Sequence, residues 1–293
     1  MKYILAPVLM ACGLAVLCLG AARSERWSVR AQETIERTLT LSGAPMRLVI
    51  DNVDGYVHVT GTNGPQVRVT AHQSIRAETD SDLQEAKNDI KLEMTEKPGS
   101  VSIYYDAPWR CNGNHGGCSG DHRHFYEVTY DIDVEAPREA RLVVSTVNGG
   151  EVRVEKTTGD FDIGNVNGQI SMSEVSGSGD VHTVNGPVSV HFVKNPLRAS
   201  SFKTTNGQLD VYFQQPLAAD LLFKTFNGQI YTNFDVTPRA TPASQPEQGN
   251  GKFVYHSRGP TGGRVGGGGP ELAFDTLNGN IRLHQGVEGV ASR

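Results

Sequence analysis

The sequence predicts an all-β fold: a β-solenoid, right-handed and β-helix-like, of roughly 20-residue coils with one short helix. An antiparallel hairpin meander is the alternative. Three observations lead there. First, one phrase recurs between residues 143 and 285: an apolar residue, any residue, Thr or Asn, any residue, Asn-Gly, then alternating apolar residues. Second, its asparagines, Asn148, Asn167, Asn185, Asn206, Asn227 and Asn278, are spaced by 19, 18, 21, 21 and 51 residues. A fixed period near 20 marks a stacked β architecture, and the last step announces an insertion. Third, 33 glycines and 7% aromatic residues in a chain that is 38% hydrophobic suit a thin, turn-rich β protein better than a thick enzyme core.

Each copy has the same inner logic. Asn-Gly supplies two residues that tolerate positive φ, as a tight turn between strands demands. Ile163, Val181, Phe202, Phe223 or Phe274 stands four residues before the Asn. Ile170/Met172, Val188/Val190, Leu209/Val211 and Ile281/Leu283 follow it at three and five residues, with polar residues between. That alternation is the signature of a half-buried strand. In the first copy Gly149-Gly150-Glu151 displaces the apolar pair to Val152 and Val154, as one extra residue would. The position two before each Asn decides between the two folds. Thr146, Asn165, Thr183, Thr204, Thr225 and Thr276 are placed to form an inward ladder, each bonding the next coil, whereas a meander gives that position no reason to stay polar.

The chain opens with Tyr3 to Ala22, an uncharged and mostly apolar run ending in Gly20-Ala21-Ala22. Residues 1–22 therefore read as a signal peptide. A retained membrane anchor is the competing reading, and Leu9-Met10-Ala11-Cys12 weakly suggests a lipoprotein box. Against the anchor, Arg23, Arg26 and Arg30 follow at once, and positive charge prefers the cytoplasmic side. Residues 23–33 are a polar lead-in, and a single β-repeat domain is expected over 34–285, with insertions at 106–125 and 237–270 and a tail over 286–293. Ile50 to Val59, with Asp54-Gly55 for Asn-Gly, is a seventh copy, and Val67 to Ala71 a further strand. Thr79 to Leu92 breaks the β pattern with good helix formers; we expect one short helix capped by Ser81 and covering an open sheet end.

Val101–Tyr105 and Tyr126–Val134 alternate as strands around a glycine-rich loop. That loop holds Cys111, His115, Cys118, His122 and His124. In an exported chain the two cysteines outside the leader read as a disulfide between Cys111 and Cys118. A metal site on the five residues is the alternative, though the cysteine spacing is not that of common zinc sites. The 237–270 insertion, rich in Pro, Gly, Ser and Gln, reads as a loop with a brief strand at Phe253-Val254-Tyr255. Its run Gly266 to Gly269 lacks the Lys-Ser/Thr of a phosphate cradle.

The repeated Thr-x-Asn-Gly turns with alternating strands, and Gly-Gly-Gly-Gly-Pro-Glu-Leu before Thr276-Leu277-Asn278-Gly279-Asn280-Ile281, resemble the bacterial β-strand-repeat family labelled putative adhesins. The resemblance spans roughly Ile50 to Leu283. It implies an extracytoplasmic β-solenoid with cell-surface roles and no agreed reaction, and it brings no catalytic residues.

A net charge of −5 and the lack of a Lys/Arg run argue against nucleic acid. Ser/His/Asp order, P-loop and zinc-protease helix are all missing from the sequence. The expectation is a non-enzymatic envelope or surface module, without cofactor or catalytic residues. Its partner is an envelope or surface component, protein or glycan, with membrane attachment only if the leader is uncleaved. Two other classes remain open. One is a polysaccharide-active enzyme using carboxylates among Asp160, Asp162, Asp180 and Asp210. The other is a metal or redox module on the Cys111–His124 loop.

Overall fold

The computed structural model describes residues 27–110, 125–239, 247–249, 252–254 and 261–286. In chain order it contains β1 (Val29–Thr40), β2 (Arg47–Asp51), β3 (Val57–Thr62), β4 (Gln66–Ala77), α1 (Asp80–Asp89) and β5 (Lys91–Lys97). Next come β6 (Ser100–Asp106), β7 (Tyr126–Pro137), β8 (Arg141–Thr146), β9 (Val152–Glu155), β10 (Phe161–Asn165) and β11 (Ile170–Val175). Then follow β12 (Gly179–Asn185), β13 (Val188–Phe192), β14 (Ser200–Asn206), β15 (Leu209–Phe213), β16 (Ala219–Asn227) and β17 (Ile230–Thr232). The chain ends with β18 (Val236–Arg239), β19 (Glu247–Gly249), β20 (Lys252–Val254), β21 (Thr261–Val265), β22 (Glu271–Asn278) and β23 (Ile281–Gln285).

These strands make two large mixed sheets, of 10 and 11 strands, plus the β19–β20 hairpin. In each copy of the repeat the strand before Asn-Gly lies in the 11-stranded sheet and the strand after it in the 10-stranded sheet. Like strands of neighbouring copies pair parallel and in register. Val144, Ile163, Val181, Phe202, Phe274 and Phe223 form one such row, and Val152, Ile170, Val188, Leu209, Ile281 and Ile230 another. Their apolar sides face each other between the sheets and form one continuous core. Each fully buried aliphatic or aromatic side chain contributes about 1.5–3 kcal/mol. Identical positions stack identical rings: Phe202, Phe274 and Phe223 follow one another at 5.3 and 5.5 Å, and Phe192 stacks on Phe213 at 5.4 Å. Such pairs add about 0.5–1.5 kcal/mol beyond area burial.

The order along the stack departs from the order along the chain. The last copy in sequence, β22–β23, sits between β14–β15 and β16–β17. The 51-residue step is thus an excursion that caps one end and returns. At that end β21 adds antiparallel to β16 and β18 antiparallel to β21, with Pro238 in the edge strand, where a missing N–H is tolerated. At the other end β6 and β7 pair parallel to β2 and β3, forming one more turn of the stack. β5 closes that end antiparallel to β6, and β4 and β1 close it beyond β7. The charged residues of β1 and β5 discourage further pairing there.

The first strand begins at Val29, inside the expected lead-in. The helix is Asp80–Asp89, and Leu92 belongs to β5. Its cap is Thr79 and not Ser81: the Thr79 hydroxyl accepts from the Asp82 N–H while the Asp82 carboxylate accepts from the Thr79 N–H. Leu83 and Ala86 bury α1 against β1, β4 and β7, at the capped end of the 10-stranded sheet. No described helix is long and apolar enough to cross a membrane.

Candidate binding surfaces

The recurring phrase of the repeat lies on the edge where the chain passes from one sheet to the other. The Thr side chains point inward and donate to a glycine carbonyl of the neighbouring turn of the stack. Thr146 bonds Gly55, Thr183 bonds Gly168 and Thr204 bonds Gly186, at 3.2, 3.0 and 2.9 Å. Thr276 bonds Gly207 and Thr225 bonds Gly279, at 3.1 and 3.2 Å. Asn165 reaches the Gly150 carbonyl at 2.9 Å with its amide. Asn52, at the equivalent place beside Asp54-Gly55, reaches the Tyr130 carbonyl at 2.8 Å.

The asparagines form a second, outer ladder. Asn167 donates to Asn148, Asn185 to Asn167, Asn206 to Asn185, Asn278 to Asn206 and Asn227 to Asn278, at 2.7–3.1 Å. Every amide donates in the same direction, toward Asp54, which accepts from Asn148. A carboxylate, an acceptor only, is a fitting terminus. Burial raises the Asp54 pKa, the Asn148 bond opposes this, and Glu127 adds to the rise.

The glycines serve a purpose other than the expected one. Gly168, Gly186, Gly207 and Gly228 are not at positive φ, nor are the asparagines before them. They are needed because the turns approach too closely for a side chain. A Cβ on Gly168, Gly186 or Gly207 would lie 2.0–2.2 Å from the glycine carbonyl oxygen of the preceding turn. Three other turn glycines are at positive φ: Gly55 (+111) and Gly279 (+158), which also press on neighbouring backbone, and Gly149 (+76), which has open space around it while Gly150 takes the stacked place.

Cys111, His115, Cys118, His122 and His124 lie outside the described residues. The strands on either side of them in the sequence, β6 and β7, belong to different sheets. Just before Cys111, Arg110 bonds the Asp51 carboxylate at 2.7 Å and the Tyr105 carbonyl at 2.8 Å, and lies over the Tyr104 ring. Among the described residues no group of three or more His, Cys, Asp and Glu is arranged to hold a metal ion.

Of the candidate carboxylates, Asp210 stands on the 10-stranded sheet, while Asp162 and Asp180 are register partners on the 11-stranded sheet. Asp180 accepts from the Ser201 hydroxyl at 2.6 Å. Asp160 pairs with Arg198 and accepts from the Ser178 N–H. The four do not converge on one point.

The opposite edge, where the chain crosses back between the sheets, holds a groove that has no repeat signature. Its cause is unequal crossover length. Residues 156–160 and 193–199 make long crossovers; the one between them, residues 176–178, is short and recessed. The resulting cleft of about 520 Å³ is lined by Asp160, Ser176, Ser178, Lys194, Leu197 and Arg198, among others. A shallower recess of about 230 Å³ continues past the Asp160–Arg198 pair toward Arg141, Asp162 and Asp180.

The outer face of the 10-stranded sheet carries a column of rings. His191 stacks on Tyr212 at 3.9 Å and Tyr212 on His284 at 4.3 Å. Asp210 lies 3.3 Å from His284 and 3.6 Å from Arg282. Burial lowers the His191 pKa, His284 lowers it further, and Asp210 opposes both. The sequence does carry this signal: the three rings stand six residues after Asn185, Asn206 and Asn278.

No family model and no curated protein matches this sequence. Solved structures resemble the fold at a distance. A putative cell adhesion protein from Clostridium sporogenes is 10% identical, with a TM-score of 0.43 over 87% of this chain and 100% of that one. A putative adhesin from Bacteroides fragilis is 10% identical, with a TM-score of 0.37 over 86% and 97%. A putative lipid binding protein from Parabacteroides distasonis is 11% identical, with a TM-score of 0.27 over 85% and 96%. These similarities are too distant to carry chemistry from one chain to another.

Proposed function

We propose that this chain is an exported, non-enzymatic β-solenoid module that binds a component of the cell envelope or surface, as an adhesin or scaffold does. One observation carries the reading. The repeat's Thr and Asn side chains are consumed in bonds between neighbouring turns, while the polar strand positions between its buried apolar residues, which differ between copies, lie outside the core. The repeat thus builds a stiff frame, and its recognition groups lie on the sheet faces and crossovers. Asp160 and Asp180, each already bonded, hold the groove's shape and are not poised for acid or base work.

Export rests on the Tyr3–Ala22 run and its small-residue end. In an oxidising compartment Cys111 and Cys118 join, tying the β6–β7 connection. The partner is a protein or glycan of the envelope.

The test is fractionation of cells making the chain with its leader. The mature protein is expected outside the cytoplasm, starting near Arg23, without free thiols under denaturing conditions until reductant is added. It should bind isolated envelope material without releasing sugar from it. Full-length cytoplasmic protein, or steady sugar release, overturns the reading. Two free thiols with stoichiometric zinc would replace the disulfide with a metal site.

A further inference from the structure

We propose that the crossover groove is the binding site and that it takes a neutral, polyhydroxylated ligand, an oligosaccharide laid across the Asp160–Arg198 ion pair. This rests on the binding-module reading and names its ligand.

The groove is built and pre-organised. The long 193–199 crossover forms its wall and is pinned on both sides. Below, the Val193 N–H donates to the Val175 carbonyl at 2.8 Å, and the Leu197 and Arg198 N–H groups donate to the Ser178 hydroxyl at 3.2 and 3.1 Å. Above, Asn195 donates to the Gln214 carbonyl and accepts from the Gln214 N–H, both at 2.8 Å. A wall held this way loses little freedom on binding, which favours affinity. The main cleft, about 520 Å³, falls within the usual ~300–1,000 Å³ of small-molecule sites.

The lining selects the chemistry. Across the cleft and the recess taken together, Lys194, Arg198 and Arg141 are matched by Asp160, Asp162 and Asp180, so a ligand spanning both meets balanced charge. What the groove offers is donors beside acceptors. Sugar hydroxyls both donate and accept, and so satisfy both kinds. One polar group among the lining residues is left unbonded beneath the surface. Ser176 is only 6% exposed, and its hydroxyl lacks a partner among the described residues, although buried polar groups are nearly always bonded. Leu197, 89% exposed at the mouth, supplies an apolar contact for the C–H face of a sugar ring, held in place by the bonds that pin its crossover.

The experiment is calorimetric titration of the purified chain with cellotetraose, maltotetraose and chitotetraose, and with tetragalacturonate as the acidic counterpart. At least one neutral sugar is expected to bind. Arg198→Ala and Leu197→Asp should each weaken it at least tenfold. Both side chains are largely exposed, so thermal melting should stay within a few degrees. Binding of tetragalacturonate alone, or neutral binding that survives both substitutions, overturns the proposal. Failure of every neutral sugar while envelope material still binds overturns the ligand assignment alone. Failure of both overturns the module reading as well.

Discussion

Gly207→Ala is the sharpest perturbation of the stack. The new methyl would lie 2.0 Å from the Gly186 carbonyl oxygen, 2.5 Å from its carbon and 3.0 Å from the Pro187 nitrogen, all backbone atoms. Relief requires neighbouring turns to part by about 1 Å or more, since nonbonded atoms settle near ~3.5 Å. Two bonds span that gap: Thr204 to Gly186 at 2.9 Å and Asn206 to Asn185 at 2.8 Å. Parting carries both beyond hydrogen-bond range. Overpacking costs about 1–3 kcal/mol and each lost bond about 1 kcal/mol, so the substitution should cost ~3–5 kcal/mol. For a domain of this size that lowers Tm by roughly 10 °C. Gly149→Ala is the control: another glycine after Asn, at φ +76 but with nothing near its Cβ. There only left-handed strain applies, roughly 1–2 kcal/mol. Urea unfolding followed by circular dichroism measures both. Equal costs, or less than about 1 kcal/mol for Gly207→Ala, would refute the close-approach argument.

Thr204→Val keeps the shape but removes the bond to Gly186 and strands its carbonyl; a loss of about 1–3 kcal/mol is expected, and none would sink the inner ladder. Asp54 has a raised pKa in the fold, so its contribution is full at low pH and is lost as pH rises through the folded value. Asp54→Asn should therefore stabilise the protein at pH 7 and change little near pH 3; unfolding curves at the two pH values decide, and no gain at neutral pH contradicts it. His191 is held below the ordinary imidazole range first by burial and then by His284. His284→Gln should raise its pKa in an NMR titration, and an unmoved midpoint counts against the coupled ring column.

All-β character was legible because the apolar offsets around Asn-Gly repeat. Those offsets are the ones that put Ile163, Val181 and Phe202 in one register row. The order of turns was not legible. Every copy offers nearly the same edge, so the period says that copies stack but not which neighbours which. Only the long step before Asn278 hinted that β22–β23 slips in ahead of β16–β17. Gly168, Gly186, Gly207 and Gly228 depart from the expected positive φ because Asn-Gly has two physical uses, and close approach leaves no mark in sequence that positive φ does not also leave. The helix cap was missed because Asp82 closes the capping box from Thr79, while Ser81 looked as good a cap. The groove escaped notice because it arises from crossover lengths, which share no motif. The ring column was hidden inside the polar phase of the strands, where His191 and His284 looked like ordinary solvent-facing residues.

The central claim is a parallel, in-register stack whose order runs through Asn206, Asn278 and Asn227. Amide nuclear Overhauser effects on deuterated protein test it most directly. The account predicts cross-strand contacts from the segment around Thr204 to that around Thr276, and from Thr276 to Thr225, with none from Thr204 to Thr225. Contacts between the two arms of a single copy, such as Thr204 with Leu209, would mean hairpins and would contradict it.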